Sequence, residues 1–384
     1  MQHFYFDHNA TTPIAPEVLE TMVSCLGQVY GNASSIHHFG QAAKQKLEAA
    51  RRQVAALIHA SPAEVVFTSG GTEADNLAIF GVVRAAGRPQ AHVIVSSIEH
   101  PAVLASAARL ESEGVAVTRL PVNANGTVDP EGVRRAFRPD TVLVSVMHAN
   151  NELGVVQPIA EISRIAREAG VPLHVDGVQA LGKIPVDVDT LGVDLYSMSG
   201  HKLYAPKGVG ALYVRKGTRL APTAFGGHHE RDRRPGTENV PGIAAFGAAC
   251  ELAGRTLAAE SERLAALRDR LENSVLGRIS GAGVTGRYAN RTPNTSNIYF
   301  DGIDGEAMTI ALDLRGFAVS TGSACSSGAI TPSHVLTALG LSADRARSSL
   351  RFSLGRTNTA EQVDALVDAL EASVAHLRRI SVHA

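Results

Sequence analysis

The sequence predicts an α/β protein: a large domain with a mostly parallel sheet covered by helices, and a smaller α+β domain. Three observations predict this. Short β-branched runs alternate with longer amphipathic stretches over the first two thirds of the chain, the rhythm of βαβ units. A sheet assembled from such units is mostly parallel and carries helices on both faces. After about residue 255 the rhythm gives way to a long stretch rich in Ala, Leu, Glu and Arg, followed by mixed strands and helices.

Taken in order, VVFT at 65–68 reads as a strand and 73–86 as a helix. HVIVSS at 92–97 is a strand followed by a helix at 102–113. Strands at 115–120 and 141–147 bracket a helix near 130–137. The stretch 159–169 places Ile159, Ile162, Ile165 and Ala166 on one helical face. Strands at 173–176 and 193–198 complete the alternating part. Beyond it come a long helix at 257–276, strands at 296–300 and 318–321 flanking a helix at 306–314, and a final helix from about 359 to 379. Its start, Thr359-Ala-Glu-Gln362, has the form of a capping box. Residues 16–255 are expected to form the large domain, and 1–15 with 256–384 the small one. With no Pro/Gly/Ser-rich linker between them, the two should pack rigidly.

Composition narrows the function classes. The 384 residues carry a formal charge of −1, with 45% hydrophobic and 19% charged residues. Such balance suits a soluble globule and gives no basic excess for nucleic acid or an anionic membrane. No apolar run of membrane-spanning length and no signal-peptide pattern occurs. Cys25, Cys250 and Cys325 lie 225 and 75 residues apart, too few and too far apart for a disulfide framework or a zinc ribbon. A reducing, cytoplasmic setting is expected. The pairs His37-His38 and His228-His229 lack partners that would complete a ligand set, so no metal site is expected.

The chain has 30 arginines but only six lysines, so each possible amine nucleophile can be weighed. Thr68-Ser-Gly-Gly-Thr72 joins a strand to a helix. Its glycines and the unpaired N–H groups of the helix start could cradle a phosphate at Gly71 and Thr72. A plain turn with Thr72 as N-cap accounts for the same residues equally well. Asp176 closes an apolar strand, where ligands of open α/β sheets bind. It could pair with a protonated ring nitrogen or simply cap the next helix. Lys202 follows another apolar strand, in SGHK, and could form a Schiff base. His100, just past a third strand end, could stack on a ring or cap a helix. A phosphate cup, an aspartate and a lysine at neighbouring strand ends match the needs of pyridoxal 5′-phosphate.

These segments resemble the cysteine desulfurases of the NifS/IscS type, class V enzymes of the fold-type I pyridoxal-phosphate superfamily. The resemblance rests on YFDHNATTP at 5–13, TSGGTEADNLAI at 68–79, IEHPAV at 98–103, MHANNELGVVQPI at 147–159, HVDGVQALGK at 174–183, MSGHKLYAPKGVGALYVR at 198–215, RPGTENVPGI at 234–243, STGSACSSG at 320–328 and LRFSLGRTNT at 350–359. It implies a seven-stranded sheet in the large domain and a homodimer with two composite sites. It implies that Lys202 carries pyridoxal 5′-phosphate, Asp176 pairs with the pyridine nitrogen and Gln179 bonds the ring oxygen. His100 would stack on the ring and move protons. Gly71, Thr72, Ser199 and His201 would hold the phosphate, joined by Thr237 from the neighbouring subunit. Asn151 would contact cofactor and substrate. Arg351, with Arg356 ranked second, would clamp the carboxylate of L-cysteine. Cys325 would take the sulfur as a persulfide, release L-alanine and pass the sulfur to an acceptor, an iron–sulfur scaffold or a thiolating enzyme. A selenocysteine lyase or another class V aminotransferase-like enzyme is the alternative, and Cys325 argues against an aminotransferase. Cys25 and Cys250, in apolar helical settings, read as structural.

Overall fold

The computed structural model describes residues 2–88, 90–321 and 332–381. Its centre is a seven-stranded sheet, ordered Val65–Thr68, Gly210–Val214, Leu195–Ser199, Leu173–Asp176, Thr141–Ser145, His92–Ser96 and Ala116–Leu120. Six strands run one way and Gly210–Val214 runs against its two neighbours. The expectation of a mostly parallel sheet covered by helices holds. Alternate residues serve opposite faces. Phe67, Ile94, Val144, Val175 and Tyr196 pack into one core. Val66, Val93, Val95, Leu143 and Leu195 pack into another, against the helices Gly71–Ala86 and Pro101–Ser112. With both faces covered, these strands read as apolar runs rather than as alternation.

A second, four-stranded sheet is antiparallel, in the order Ser320–Thr321, Ser349–Ser353, Thr295–Phe300 and Ala282–Val284. The N-terminal segment returns to it. Phe4–Tyr5 pairs with Phe317–Ala318, and Phe6 is fully buried in the core formed with the helix Ala360–Ser381.

One helix differs in extent from its sequence reading. It runs from Val240 to Arg278, starting 17 residues before the expected Leu257. Asn239 caps it by accepting from the Gly242 N–H, and Pro241 fits the first turn, where no N–H is needed. Its first half is buried through Ile243, Ala245, Phe246, Ala249 and Cys250, so no polar stripe marks it as helical in sequence. Its second half inserts Leu264, Leu267, Leu271 and Val275 into the core of the four-stranded sheet. The boundary expected at 255/256 therefore lies inside one continuous helix joining the two cores. The strand Gly210–Val214 and the helices Pro16–Gln28 and His38–Leu57 had no counterpart in the sequence reading.

Candidate active site

A cleft of about 320 Å³ opens where the large sheet meets the small one. Ten sequence-derived candidates line it: Gly71, Thr72, His100, Asn151, Asp176, Gln179, Ser199, His201, Lys202 and Arg351. Asp176 and Ser199 are the last residues of adjacent parallel strands. Lys202 ends the single turn that follows Ser199. Gly71 and Thr72 open a helix, His100 caps another, and Arg351 projects from the strand Ser349–Ser353.

The helix start at Gly71 requires glycine for two reasons. Gly70 sits at φ 155°, ψ −176°, a conformation essentially closed to other residues. A Cβ on Gly71 would stand 2.7 Å from Cγ2 of Val178. The first-turn N–H groups have no partner within the helix and face the cleft, as an anion site needs.

Asp176 is 5% exposed. Burial, then the neighbouring Asp75 carboxylate, pushes its carboxyl up to about 6, while His100 pulls the other way. Its Oδ1 accepts the Val178 N–H at 2.9 Å. His100 holds its ring by accepting the Ala102 N–H on Nδ1 at 3.1 Å, so the neutral ring carries its proton on Nε2. Burial lowers its pKa, with Lys202 and His334 adding to the effect against Asp176. The capping reading of His100 is realised, and the same residue lines the cleft. Burial also brings His201 down to about 4, helped by Lys202 and Lys207. Lys202 Nζ donates to the carbonyls of Asn9 and Ala10, each at 2.6 Å. Arg351 donates from Nη2 to Asp7 at 2.7 Å and from Nη1 to the Asn151 carbonyl at 3.1 Å. Its buried Nε has no partner among the described residues.

Four residues of the site had no assigned role in the sequence reading. Asn9 is the hub. Its carbonyl accepts from Lys202 and from Gln179 Nε2 (3.0 Å), and its Oδ1 accepts from Lys183 (2.8 Å). Its Nδ2 donates to the Asn151 carbonyl at 3.1 Å. Lys183 is 9% exposed and also donates to Gln179 Oε1. Asp75 lines the cleft, and burial pushes its carboxyl up to about 7. Glu99, fully buried, accepts from the Ser96 hydroxyl and the Met147 N–H, and burial raises its pKa well above the carboxylate range. The scarcity of lysine was the one sequence signal that could have singled out Lys183.

Three candidates are not in this cleft. Arg356 lies over the Tyr204 ring, 5.6 Å from its centroid, beside a separate cavity of about 40 Å³. Thr237 is exposed and does not line the cleft of its own chain. Cys325 lies outside the described residues. Cys25 and Cys250 are buried, and burial pushes both thiols up. His228 meets Asp232 at 2.5 Å, a carboxylate the sequence reading passed over, and His37 caps a helix. Among the described residues no three His, Cys, Asp or Glu side chains converge as a metal site.

The chain matches the model of the aminotransferase class-V family over residues 4–366. It is 48% identical over 377 residues to a protein named cysteine desulfurase IscS from Dictyoglomus turgidum, covering 98% of this chain and 96% of that one. It is 50% identical over 380 residues to one of the same name from Anaeromyxobacter dehalogenans, covering 98% and 94%. Among solved structures, a NifS-like protein superposes with a TM-score of 0.92 at 36% identity, covering 98% of this chain and all of that one. A structure described as SspA in complex with cysteine gives 0.82 at 38%, covering 91% and 98%. The chain belongs to the class-V aminotransferase family and, within it, to the cysteine desulfurases of the NifS/IscS type.

Proposed function

We propose that this desulfurase binds pyridoxal 5′-phosphate in the cleft, on Lys202, and takes the sulfur of L-cysteine onto Cys325. The observation that carries the reading is the convergence on one cleft of a lysine, a buried aspartate, a histidine and an open helix start. The donor set fits the cofactor. Gly71 and Thr72 offer N–H groups to a phosphate, with Ser199 and His201 beside them. Asp176, held above its ordinary pKa by burial, would regain its charge against a protonated ring nitrogen. Bound there, the cofactor's pyridinium ring supplies an electron sink next to the substrate amine.

The chain's own groups then divide the work. Lys202 would hold the cofactor through its amine and, with that amine free, would move the substrate Cα proton. His100, neutral and with Nδ1 fixed by Ala102, would offer its Nε2–H to the bound ring. Arg351 offers its unpartnered Nε to the substrate carboxylate while Asp7 and Asn151 pin its other nitrogens. The Cys325 thiolate attacks the substrate sulfur. The S–S bond forms as the substrate's C–S bond breaks, leaving a persulfide on Cys325 and, after protonation at the carbon, L-alanine.

The test is to add L-cysteine, alkylate and map the persulfide by mass spectrometry. One extra sulfur on Cys325, and no sulfide release by Cys325→Ser, is the expected result. A persulfide on Cys25 or Cys250, or full activity in Cys325→Ser, would overturn it. Sulfur then passes to an acceptor protein, from iron–sulfur cluster assembly or from thiolation chemistry.

A homodimer is part of the same reading. Val23, Leu26, Tyr30 and Ile36 are 57%, 59%, 75% and 93% exposed, and the Tyr30 and Phe39 rings stack at 5.1 Å. An exposed apolar surface of this kind supports an interface, and Thr237 is free to reach a neighbouring cleft. Sedimentation at twice the 40.3 kDa chain mass is expected.

A further inference from the structure

We propose that Lys183 is a positioning residue of the active site: it locks the Gln179 carboxamide so that Gln179 turns an N–H, never its oxygen, toward the cofactor's ring oxygen. This deepens the reading that Lys202 carries the cofactor and rests on it.

The geometry over-determines the amide. Lys183 lies four residues after Gln179, across a non-helical turn, and its Nζ donates to Gln179 Oε1. At the other end of the amide, Gln179 Nε2 donates at 3.0 Å to the Asn9 carbonyl, a group that can only accept. A flipped amide would set its oxygen against that carbonyl and its NH₂ against the ammonium. One proton of Nε2 is spent on Asn9, and the other is left for the cleft that Gln179 lines.

The same ammonium reaches a second carboxamide. It donates at 2.8 Å to Asn9 Oδ1, whose side-chain nitrogen is fixed on the Asn151 carbonyl. Asn9 and its neighbour Ala10 in turn receive the Lys202 amine. Lys183 therefore ties together the backbone that seats Lys202 and the side chain that faces the ring. Its carbonyl is anchored by Ser261 Oγ at 2.8 Å, from the long helix Val240–Arg278. Both of its side-chain partners are neutral amides, and its charged neighbours Lys202 and Arg351 are themselves cations. An ion pair made for stability would be built differently.

The loaded holoenzyme supplies a readout apart from turnover. A hydrogen bond donated to the ring oxygen favours that oxygen's ionised form, and a nearby cation does the same. Removing Lys183 weakens both effects, so the pH midpoint of the bound cofactor's visible absorbance should rise. In Lys183→Met the expected rise is about one pH unit, the size of one charge-assisted hydrogen bond. Lys183→Gln, which keeps an N–H donor but no charge, should fall between the two. In a Gln179→Leu background the same Lys183→Met change should add less than it does in the native one. The titratable groups lining the cleft, Asp75, His100, Asp176, His201, Lys202 and Arg351, are common to all these proteins and cancel in the comparison.

Borohydride reduction and peptide mapping accompany the titration. Label on a residue other than Lys202 would sink the cofactor reading itself. Label on Lys202 with an unchanged midpoint in both Lys183 variants would overturn the positioning role alone. Failure of both variants to fold would also overturn it, leaving Lys183 a purely structural residue.

Discussion

The protein buries charge in two ways, and the contrast separates scaffold from site. Away from the cleft, Arg51 and Glu230 form a complete pair. Glu230 accepts two bonds from Arg51, at 2.8 and 2.7 Å, and one from the Phe67 N–H. Arg51 also reaches the Val65 carbonyl at 2.9 Å and Glu48 at 3.2 Å. Arg291 and Glu272 are paired in the same manner, at 2.7 and 3.1 Å. In and beside the cleft, where Arg351 is paired with Asp7 at 2.7 Å, like charges are also gathered. Asp176 feels Asp75, and Lys183 feels Lys202 and Arg351, each made less ready to carry charge by burial and by its neighbour. A pair that neutralises itself holds two segments together. A cluster of like charges is relieved by an incoming group of opposite sign, so its cost on folding reappears as affinity for the ligand. Under the proposed function, a pyridinium nitrogen would relieve the anionic cluster, and carboxylate and phenolate oxygens the cationic one.

Asp176→Asn breaks the contrast on the cleft side. Size and hydrogen bonding are nearly kept, but no charge remains to hold a ring proton. We expect kcat to fall by roughly 10²–10³-fold, as when one preorganised electrostatic partner is removed, with an unchanged circular-dichroism spectrum. A loss below tenfold would remove Asp176 from the catalytic reading. Arg51→Met breaks the scaffold side. It leaves the Glu230 carboxylate buried without its cation, which should cost about 3–5 kcal/mol in urea unfolding. The protein that remains folded should keep its kcat. A large fall in kcat at full occupancy of cofactor would show that the two kinds of charge are not separable.

The sheet and the strand-end residues were legible in sequence for the same reason. Each inner parallel strand is buried on both faces, unlike the edge strand Ala116–Leu120, so it reads as a short apolar run, and polar residues that follow such a run sit at the carboxyl edge of the sheet. Asp176, Ser199 and His100 could be placed that way. The hub Asn9 could not, because its partners Gln179 and Lys183 are 170 and 174 positions away, and no local pattern records a contact across that distance. Lys183 escaped notice because a lysine after glycine in a turn is ordinary on a surface, and only the tertiary packing buries it. The strand Gly210–Val214 lies within a motif whose chemistry drew attention to Lys202. The opening stretch of the helix Val240–Arg278, residues Val240–Cys250, carries no charged side chain and so lacks the 3.6-residue polarity that betrays a surface helix.

The same aspartate sharpens the contrast thermodynamically in the cofactor-free protein. In the folded chain the Asp176 carboxyl stands at about 6, above its ordinary value of 3.8. The folded state therefore binds more protons than the unfolded state between those two values. The contribution of Asp176 is fully present below pH 3.8 and is lost as pH rises to about 6. Asp176→Asn lacks this dependence. Relative to the native protein it should gain stability across that window and level off above it, by up to about 3 kcal/mol. Subtracting the two pH–stability curves removes the contributions of buried histidines that do not feel Asp176, such as His92 and His148, but not those of His100 and His174, whose pKa values Asp176 raises. A flat difference, or one of opposite slope, would mean that Asp176 is ionised and already paired in the empty cleft, like the arginine-bound carboxylates of the scaffold.

The smallest effect concerns a contact with no charge at all. Gly71 leads the helix that faces the phosphate position, and the van der Waals wall opposite it is Val178, two residues beyond Asp176. Alanine at Gly71 is a better helix former, so on propensity alone Gly71→Ala should stabilise. The added methyl would stand 2.7 Å from Val178 Cγ2, and a β-branched side chain beside a strand end has little freedom to move aside. The helix start must then retreat from the segment carrying Asp176, which pulls the phosphate end and the ring end of the site apart. Cofactor affinity should fall about tenfold, or 1.4 kcal/mol, in an equilibrium titration. Adding Val178→Ala removes the wall and should recover most of that loss, whereas Val178→Ala alone should change little. Failure of the double variant to recover would mean that the methyl blocks the anion directly, and that the glycine serves the ligand rather than the packing between the helix and Asp176.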